Sequence, residues 1–172
     1  LESGAKYGRS AEPGGGRKVL LEFVSANFIG PVHVGTGRQA AFGATLGNLL
    51  EATGYAVHRE YYINDAGRQM DILTASVWLR YLETCGEALE FPSNGYRGDY
   101  VRALARALQA VAADAFRRPA AAVLVALPPD APAGGDKDKY VDAIIERMRA
   151  LLGDVDFRRV LDFSLEAMLA DI

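Results

Sequence analysis

Residues 19–38, which read VLLEFVSANFIGPVHVGTGR, decide the fold of this chain. The first five residues, VLLEF, are apolar and favour extended backbone, which is typical of a buried strand. A Gly-Pro pair in the middle of the stretch is a turn signal that ends the strand region. From His33 onward, small and apolar residues recur at a roughly helical period until Gly54, a typical helix stop. The stretch therefore predicts a buried strand that turns sharply into a helix.

The first turn of this predicted helix carries four residues suited to phosphate binding: His33, Gly35, Thr36 and Gly37. Backbone N–H groups without helical partners and the positive end of the helix dipole meet there, so an anion binds well. Glycine removes side chains that would hold a phosphate or a flat base away from the backbone. The pattern indicates a nucleotide phosphate site, and the alternative for His33 is a polar helix cap.

A second candidate strand, AVHREYYI, covers residues 56–63. The helix between the two strands is long enough for a parallel crossover, so the region predicts a right-handed βαβ unit and an α/β fold. Ligands of such sheets bind at the carboxyl ends of the strands. The polar residues at 25–33 and 64–69 follow the two strands, and we expect them to converge at that edge.

The remainder of the chain predicts helices. A largely buried helix follows the second strand, and an amphipathic helix with Asp99 as candidate N-cap follows a turn-rich loop. Two further amphipathic helices end the chain, whereas the short apolar run at 120–127 fits either a strand or a helix. The expected organisation is a Gly-rich linker, a βαβ unit and a helical lobe, at 1–18, 19–85 and 86–172.

The composition is that of an ordinary globular protein. The 172 residues are 50% hydrophobic and carry a net charge of −3, which gives no footprint for strong nucleic-acid binding by the whole chain. No apolar run approaches the roughly 18 residues that span a membrane, so no membrane partner is expected. The single cysteine, Cys85, has no companion for a disulfide or a zinc site, which fits a reducing, cytoplasmic compartment.

Three blocks of the chain, LEFVSAN, GPVHVGTGR and REYYINDAGRQM, resemble the first half of the catalytic domain of arginyl-tRNA synthetases. These enzymes are class I aminoacyl-tRNA synthetases, and HVGT stands where that class carries its HIGH signature. The resemblance runs from about Tyr7 to the end of the chain. It implies a Rossmann-like βαβ half of the catalytic domain with an added helical lobe. The activity that it implies is ATP-dependent attachment of arginine to tRNA(Arg) through an arginyl-adenylate.

The resemblance also implies an arginine site made of Glu22, Ser25 and Asn27 together with His33. The chemistry agrees, because a guanidinium pairs with a carboxylate and an ammonium group with oxygen acceptors. A salt bridge at the end of the strand and an Asx turn are the structural alternatives for Glu22 and Asn27. The residues after the second strand that match the family's pocket block are Asn64, Asp65 and Gln69, and Asp65 could equally cap the next helix.

The implied ATP site coincides with the first helical turn and consists of His33, Gly35, Thr36 and Gly37. His33 and Thr36 would act in catalysis by donating hydrogen bonds to phosphate oxygens as charge develops. ATP would be accompanied by Mg²⁺, which commonly bridges phosphate oxygens.

The sequence departs from the family pattern in the site itself. Thr36 replaces the second histidine of the signature, and losing one such donor costs about 2.7–4 kcal/mol, a hundredfold or more in rate. Phe28 and Ile29 stand where the family commonly has Pro-Thr, and Arg68 replaces an asparagine. These departures put catalytic competence in question and leave the fold assignment intact.

No lysine-rich KMSKS-like loop is present in the sequence, and half of a doubly wound sheet cannot enclose ATP. We therefore expect a fragment or truncated relative of arginine–tRNA ligase that is inactive alone and meets tRNA(Arg) mainly through parts of the family's proteins not matched here. The alternative is a non-catalytic truncated paralogue that binds arginine, a nucleotide or a protein partner. A different nucleotide-binding βαβ protein would need a GxGxxG turn, whereas GTGRQA ends in alanine.

Overall fold

A computed structural model describes residues 4–25, 29–30, 33–62 and 67–170. The chain forms two compact units, a first unit of Leu1–Asn27 with Val32–Asn64 and a second unit of Phe28–Pro31 with Asp65–Ile172. The elements in chain order are β1 Lys18–Glu22, α1 Val34–Ala52, β2 Ala56–Glu60, α2 Arg68–Thr84, α3 Asp99–Ala112, α4 Ala120–Leu124 and α5 Lys137–Leu169. Short 3-10 helices lie at Gly4–Lys6 and Ala131–Ala133.

The first unit is built on a parallel pair of strands connected by α1. The register of β1 and β2 runs from Lys18 opposite Ala56 to Glu22 opposite Glu60. The Phe23 N–H extends this ladder by donating to the Glu60 carbonyl at 3.3 Å. The predicted parallel βαβ unit is confirmed.

The ends of α1 follow from its flanking residues. His33 precedes the helix with extended backbone angles, φ −101° and ψ 171°, and the helix begins at Val34. At the other end the Thr53 hydroxyl donates to the Leu49 carbonyl at 3.0 Å. Gly54 then takes φ 87°, a left-handed conformation that glycine adopts without a Cβ penalty. The predicted start and stop of this helix are confirmed.

Two glycines let α1 approach the sheet. Gly43 and Gly47 are the buried residues of this helix. A Cβ at Gly43 would lie 2.2 Å from Cγ of Phe23, and one at Gly47 would lie 2.8 Å from a guanidinium nitrogen of Arg59. Real Cβ contacts are not that short, so Gly43 is required for α1 to pack on Phe23, whereas at Gly47 the flexible guanidinium of Arg59 would have to move.

The strands themselves are less buried than the sequence predicts. Val19 and Leu21 are half-buried, whereas Leu20, between them, is 62% exposed. Alternation of this kind is typical of a sheet that is covered on one face, here by α1. The prediction of a buried first strand is therefore wrong for the face that carries Leu20. The second strand is shorter than the candidate at 56–63: β2 ends at Glu60, and Tyr62 beyond it is 58% exposed.

The segment before β1 packs against the turn between α1 and β2. The Ser10 N–H donates to the Ala52 carbonyl at 2.9 Å, and the Gly14 N–H donates to the Thr53 carbonyl at 2.8 Å. The Arg17 guanidinium lies 5.1 Å from the centre of the Tyr55 ring. Residues 10–17 are therefore folded onto the first unit, and the role of residues 1–18 as a linker stays a prediction.

The second unit contains the hydrophobic core. In α2 every residue from Ile72 to Leu82 is buried, which confirms the predicted buried helix. The single tryptophan, Trp78, is fully buried and donates its indole N–H to the Phe116 carbonyl at 2.9 Å. The hydroxyl of Tyr81 donates to the Ala113 carbonyl at 2.6 Å. These bonds satisfy the polar atoms of two large core side chains, which would otherwise be costly to bury.

The later helices match the predicted amphipathic patterns with one break and one correction. Residue Gly153, at φ 75°, interrupts α5, so its two halves correspond to the two helices expected from the sequence. Asp136 caps α5, and the backbone N–H groups of Lys139 and Asp138 lower its pKa. The predicted N-cap Asp99 is wrong: Gly98 takes the cap position, and Asp99 is the first helical residue.

The run at 120–127, for which the sequence left strand and helix open, contains the five-residue helix α4.

The helix α2 packs against α3 and α5 and belongs to the second unit. The sequence instead predicts a domain boundary between residues 85 and 86. The predicted domain limits stay a prediction. None of the helices in the described residues combines the length and apolar composition needed to cross a membrane.

Candidate functional site

A cavity of about 470 Å³ lies in the first unit at the carboxyl end of β1. Its size is in the range that holds a small ligand. The end of β1 forms one part of the wall and the second turn of α1 forms the other. The lining residues among those described are Glu22, Phe23, Val24, Ser25, Arg38, Gln39 and Phe42.

The hydroxyl of Ser25 fixes the carboxylate of Glu22 and ties the two strand ends together. It donates to Oε1 of Glu22 at 2.6 Å and accepts the backbone N–H of Tyr62 at 3.0 Å. No other described residue bonds to the Glu22 carboxylate, whose second oxygen can accept hydrogen bonds from a ligand. The exposed carboxylate is therefore oriented before any ligand binds, which lowers the entropic cost of recognising a cation.

The residue between these two polar groups has unusual backbone geometry. Val24 has φ 63°, in the left-handed region that costs a β-branched residue about 1–2 kcal/mol. Such conformations persist where the surrounding structure holds them, and they cluster at functional sites. The turn at Val24 separates Glu22 from Ser25 and coincides with the wall of the cavity.

The α1 side of the cavity was not predicted from the sequence. Arg38, Gln39 and Phe42 belong to the second turn of the helix, and Phe42 is 71% exposed. Their spacing of one and four positions places them on neighbouring faces of the helix. One feature of the sequence pointed to them: they come one turn after the glycine-rich start of the helix, and that start faces the end of the strand.

His33 caps the N-terminus of α1 with its imidazole. Nδ1 accepts the N–H groups of Gly35 at 3.1 Å and Thr36 at 3.4 Å. In the neutral ring the proton is then on Nε2, which lies 3.5 Å from Oγ1 of Thr36. Two of the N–H groups that the sequence predicts for phosphate binding are therefore occupied, and in this tautomer Nε2–H is the donor of the ring, next to the Thr36 hydroxyl. Gly35 permits this cap, since its Cβ would lie 3.0 Å from the ring.

The predicted site residues form two groups in the first unit. Glu22 and Ser25 line the cavity, whereas the residues at the first turn of α1 are absent from its described lining: His33, Gly35, Thr36 and Gly37. Three other predicted positions, Asn27, Asn64 and Asp65, lie outside the described residues. The ligands assigned to each group therefore stay predictions.

Several arginines of the second unit are engaged with carboxylates. Arg68 pairs with Asp138 at 2.8 Å and Asp142 at 2.9 Å, and Arg149 pairs with Asp71 at 2.8 Å. Ion pairing leaves these guanidinium groups less available to phosphate, which disfavours an RNA-binding surface there.

Comparisons with known proteins agree with the geometry. The family described as tRNA synthetases class I (R), catalytic domain, matches residues 1–91. The chain is 57% identical over 171 residues to an arginine–tRNA ligase from Thioalkalivibrio sulfidiphilus and 55% identical over 172 residues to one from Halorhodospira halophila. These alignments cover 99% and 100% of the chain and 29% of each relative.

A solved structure from Campylobacter jejuni, described as an arginyl-tRNA synthetase, has the same fold over 100% of this chain, with a TM-score of 0.69 and 26% sequence identity. The match covers 30% of that structure. The chain thus spans less than a third of the length of the relatives that it matches.

Proposed function

The chain belongs to the arginyl family of class I tRNA synthetases, and from this premise we propose that its first unit is the arginine- and ATP-facing half of a Rossmann-like synthetase site. The complete reaction is the ATP-dependent attachment of arginine to tRNA(Arg) through an arginyl-adenylate. The observation that carries the proposal is the Glu22–Ser25 pair, which lines a ligand-sized cavity at the carboxyl end of β1.

Arginine recognition rests on the carboxylate of Glu22. Its bond from Ser25 holds one oxygen and leaves the carboxylate facing a cavity that contains the apolar side chains of Phe23 and Phe42. A cationic group of arginine gains a charge-assisted hydrogen bond there, and the aromatic walls cover its aliphatic stem. Asn27 is assigned to the same ligand on the family pattern.

ATP recognition rests on the start of α1. Nε2 of His33 and the hydroxyl of Thr36 are donors next to the positive end of the helix dipole, and Gly35 and Gly37 carry no side chains. His33 would donate to the α-phosphate as charge develops there during adenylation. Thr36 supplies a shorter, neutral donor than histidine, so stabilisation of that charge is weaker.

We propose that the chain alone does not turn over. It spans 29% of its relatives' length, and the contacts with tRNA(Arg) would come mainly from other parts of such proteins. Mg²⁺ would accompany ATP, whose phosphate oxygens bind it. A cytoplasmic location stays a prediction.

A second candidate function is a non-catalytic relative that binds arginine, a nucleotide or a protein partner. The observation in its favour is Thr36 at the signature position, where an imidazole is replaced by a hydroxyl. Arginine-dependent exchange of pyrophosphate into ATP separates a working adenylation site from a binding site. We expect exchange at background level, and exchange that disappears in Glu22→Gln would overturn the proposed inactivity of the chain.

Calorimetric titration of the chain with arginine tests the main proposal. We expect millimolar binding that Glu22→Gln weakens about tenfold or more, because one charge-assisted bond is lost. Glu60→Gln is the matched control, since Glu60 is the register partner of Glu22 on β2 and lies outside the described cavity lining. Absence of arginine and ATP binding, or equal weakening by both substitutions, would contradict the proposal.

A further inference from the structure

The cavity at the end of β1 contains a second charged side chain whose role is unassigned. Arg38 lines the wall formed by α1, and Glu22 lines the wall formed by the strand end. Among the described residues Arg38 makes no hydrogen bond or ion pair through its side chain, with Glu22 or with any other residue. A guanidinium has five N–H donors, and no described residue accepts one from Arg38 on this wall of the cavity.

Several other arginines of the described residues are engaged with acceptors, whereas Arg38, on the wall of this cavity, is not. Arg59 of β2, which packs on α1, pairs with Glu51 at 2.6 Å and donates to Asn48 at 3.0 Å. In the second unit, Arg68 and Arg149 pair with aspartates. A guanidinium without such a partner, on the wall of a cavity that also presents an oriented carboxylate, has the chemistry of an anion-binding group.

We propose that Arg38 binds the anionic end of the substrate: the α-carboxylate of free arginine and, once it is activated, the phosphate of the adenylate. The inference rests on the proposed function, because it assigns the second charge of the same cavity. Glu22 takes a cationic group of the amino acid, and Arg38 takes its anionic group.

The two charges suit a zwitterionic amino acid better than either charge would alone. Free arginine carries two cationic groups and one carboxylate, and a planar guanidinium binds a carboxylate or a phosphate through two parallel N–H donors. Arg38 lies one turn from the N-terminus of α1, where the helix dipole adds to its attraction for an anion. Holding the carboxylate there restricts the orientation of the group that attacks ATP, which is the usual role of a positioning arginine.

The test compares two ligands that differ at the carboxyl group. L-Arginine has a carboxylate, and L-argininamide has a neutral amide with the same side chain and α-amino group. In calorimetric titrations we expect the unsubstituted chain to prefer arginine over argininamide by about tenfold or more. In Arg38→Gln the preference should fall to about twofold or less, while the affinity for argininamide stays within about twofold. Arg38→Lys, which keeps a charge but not the planar fork, should retain an intermediate preference.

Two further variants separate this inference from the proposed function. Glu22→Gln should weaken both ligands by the same factor, and Arg102→Gln, at an exposed arginine of α3, should change neither. If the Arg38→Gln chain still prefers arginine over argininamide, the role of Arg38 is overturned and the proposed function is not. Equal weakening of both ligands by Arg38→Gln also overturns it. Failure of the unsubstituted chain to bind either ligand overturns the proposed function and this inference together.

Discussion

At the scale of single residues, Glu87 connects two segments of the second unit. Its Oε2 accepts the N–H of Ala120 at 2.8 Å, and its Oε1 accepts Nε of Arg117 at 3.0 Å. The bond from Ala120, and after it the guanidinium of Arg117, lowers the pKa of the Glu87 carboxyl below its ordinary value of 4.5. The ionised carboxylate therefore stabilises the folded state through a helix N-terminus and an ion pair.

The stability from Glu87 should depend on pH in a defined direction. Because the folded pKa is lower than the unfolded pKa of 4.5, the contribution is fully present above that pH and is lost as pH falls through the folded pKa. We expect Glu87→Gln to lower the urea midpoint at pH 7, and the gap from the unsubstituted chain to narrow below about pH 4. Glu90→Gln, at an exposed glutamate of the same loop, should leave the midpoint unchanged. A gap that persists at low pH would mean that charge is not the cause.

Residue-level predictions from the sequence succeeded where the chemistry is local. The small residues of the predicted helix include Gly43 and Gly47, whose short Cβ distances show how closely α1 packs. Asp99 was predicted as a cap because its side chain suits that role, but Gly98 has the extended backbone and takes the position. Arg38 could not be found from its neighbours alone, since an arginine on a helix surface is ordinary until the strand end is placed beside it.

At the scale of elements, α1 contains two glycines at which a substitution to alanine should have opposite effects on stability. Gly43 faces Phe23 of the strand end, whereas a Cβ at Gly37, in the first turns, would meet nothing within 4 Å. The same substitution to alanine therefore separates packing from helix propensity. One site loses a close contact, and the other gains a better helix former.

We expect Gly43→Ala to destabilise the first unit by about 1–3 kcal/mol, the usual cost of overpacking. Gly37→Ala should stabilise α1 by about 0.5–1 kcal/mol, since alanine loses less backbone entropy than glycine in a helix. Amide hydrogen exchange across α1 measures both changes within one element. If Gly43→Ala is tolerated as well as Gly37→Ala, the helix does not pack on the strand end as closely as described.

The element order was predictable because each boundary has a local signal. An apolar run marks the first strand, and Gly54 ends α1. The run at 120–127 had no such signal, because five helical residues are too few for a period to appear. Burial of β1 was overestimated, since an apolar run does not reveal how many faces of a sheet are covered.

At the scale of the whole molecule, the two units differ in how they are stabilised. In the first unit the buried residues among those described are glycines, Gly14, Gly43 and Gly47, whereas the buried large side chains lie in the second unit. Burial of apolar surface is the main favourable contribution to folding, and a unit of this small size without a core is marginal. The candidate site therefore belongs to the less stable unit.

Hydrogen exchange should reveal this difference directly. We expect amides of α2 around the buried Trp78 to exchange slowly and those of β1 and α1 to exchange orders of magnitude faster. Arginine at saturating concentration should slow exchange in β1 and α1, because a ligand that binds only the folded state stabilises it. Equal protection across both units in the free chain would contradict this account.

The open face and edges of the β1–β2 ladder have a consequence for the chain in solution. With two strands in the described sheet, each strand has one row of backbone N–H and C=O groups that its neighbour does not use. The middle of β1 is Val-Leu-Leu without a charge, and Leu20 faces outward from it, whereas β2 carries His58, Arg59 and Glu60. The β1 strand of a second molecule would pair with β1 more readily than with β2. At high protein concentration, pairing between β1 strands of different molecules would therefore promote precipitation. The charged residues of β2 oppose the same pairing, so of the two strands in the described sheet β1 is the more prone to aggregate.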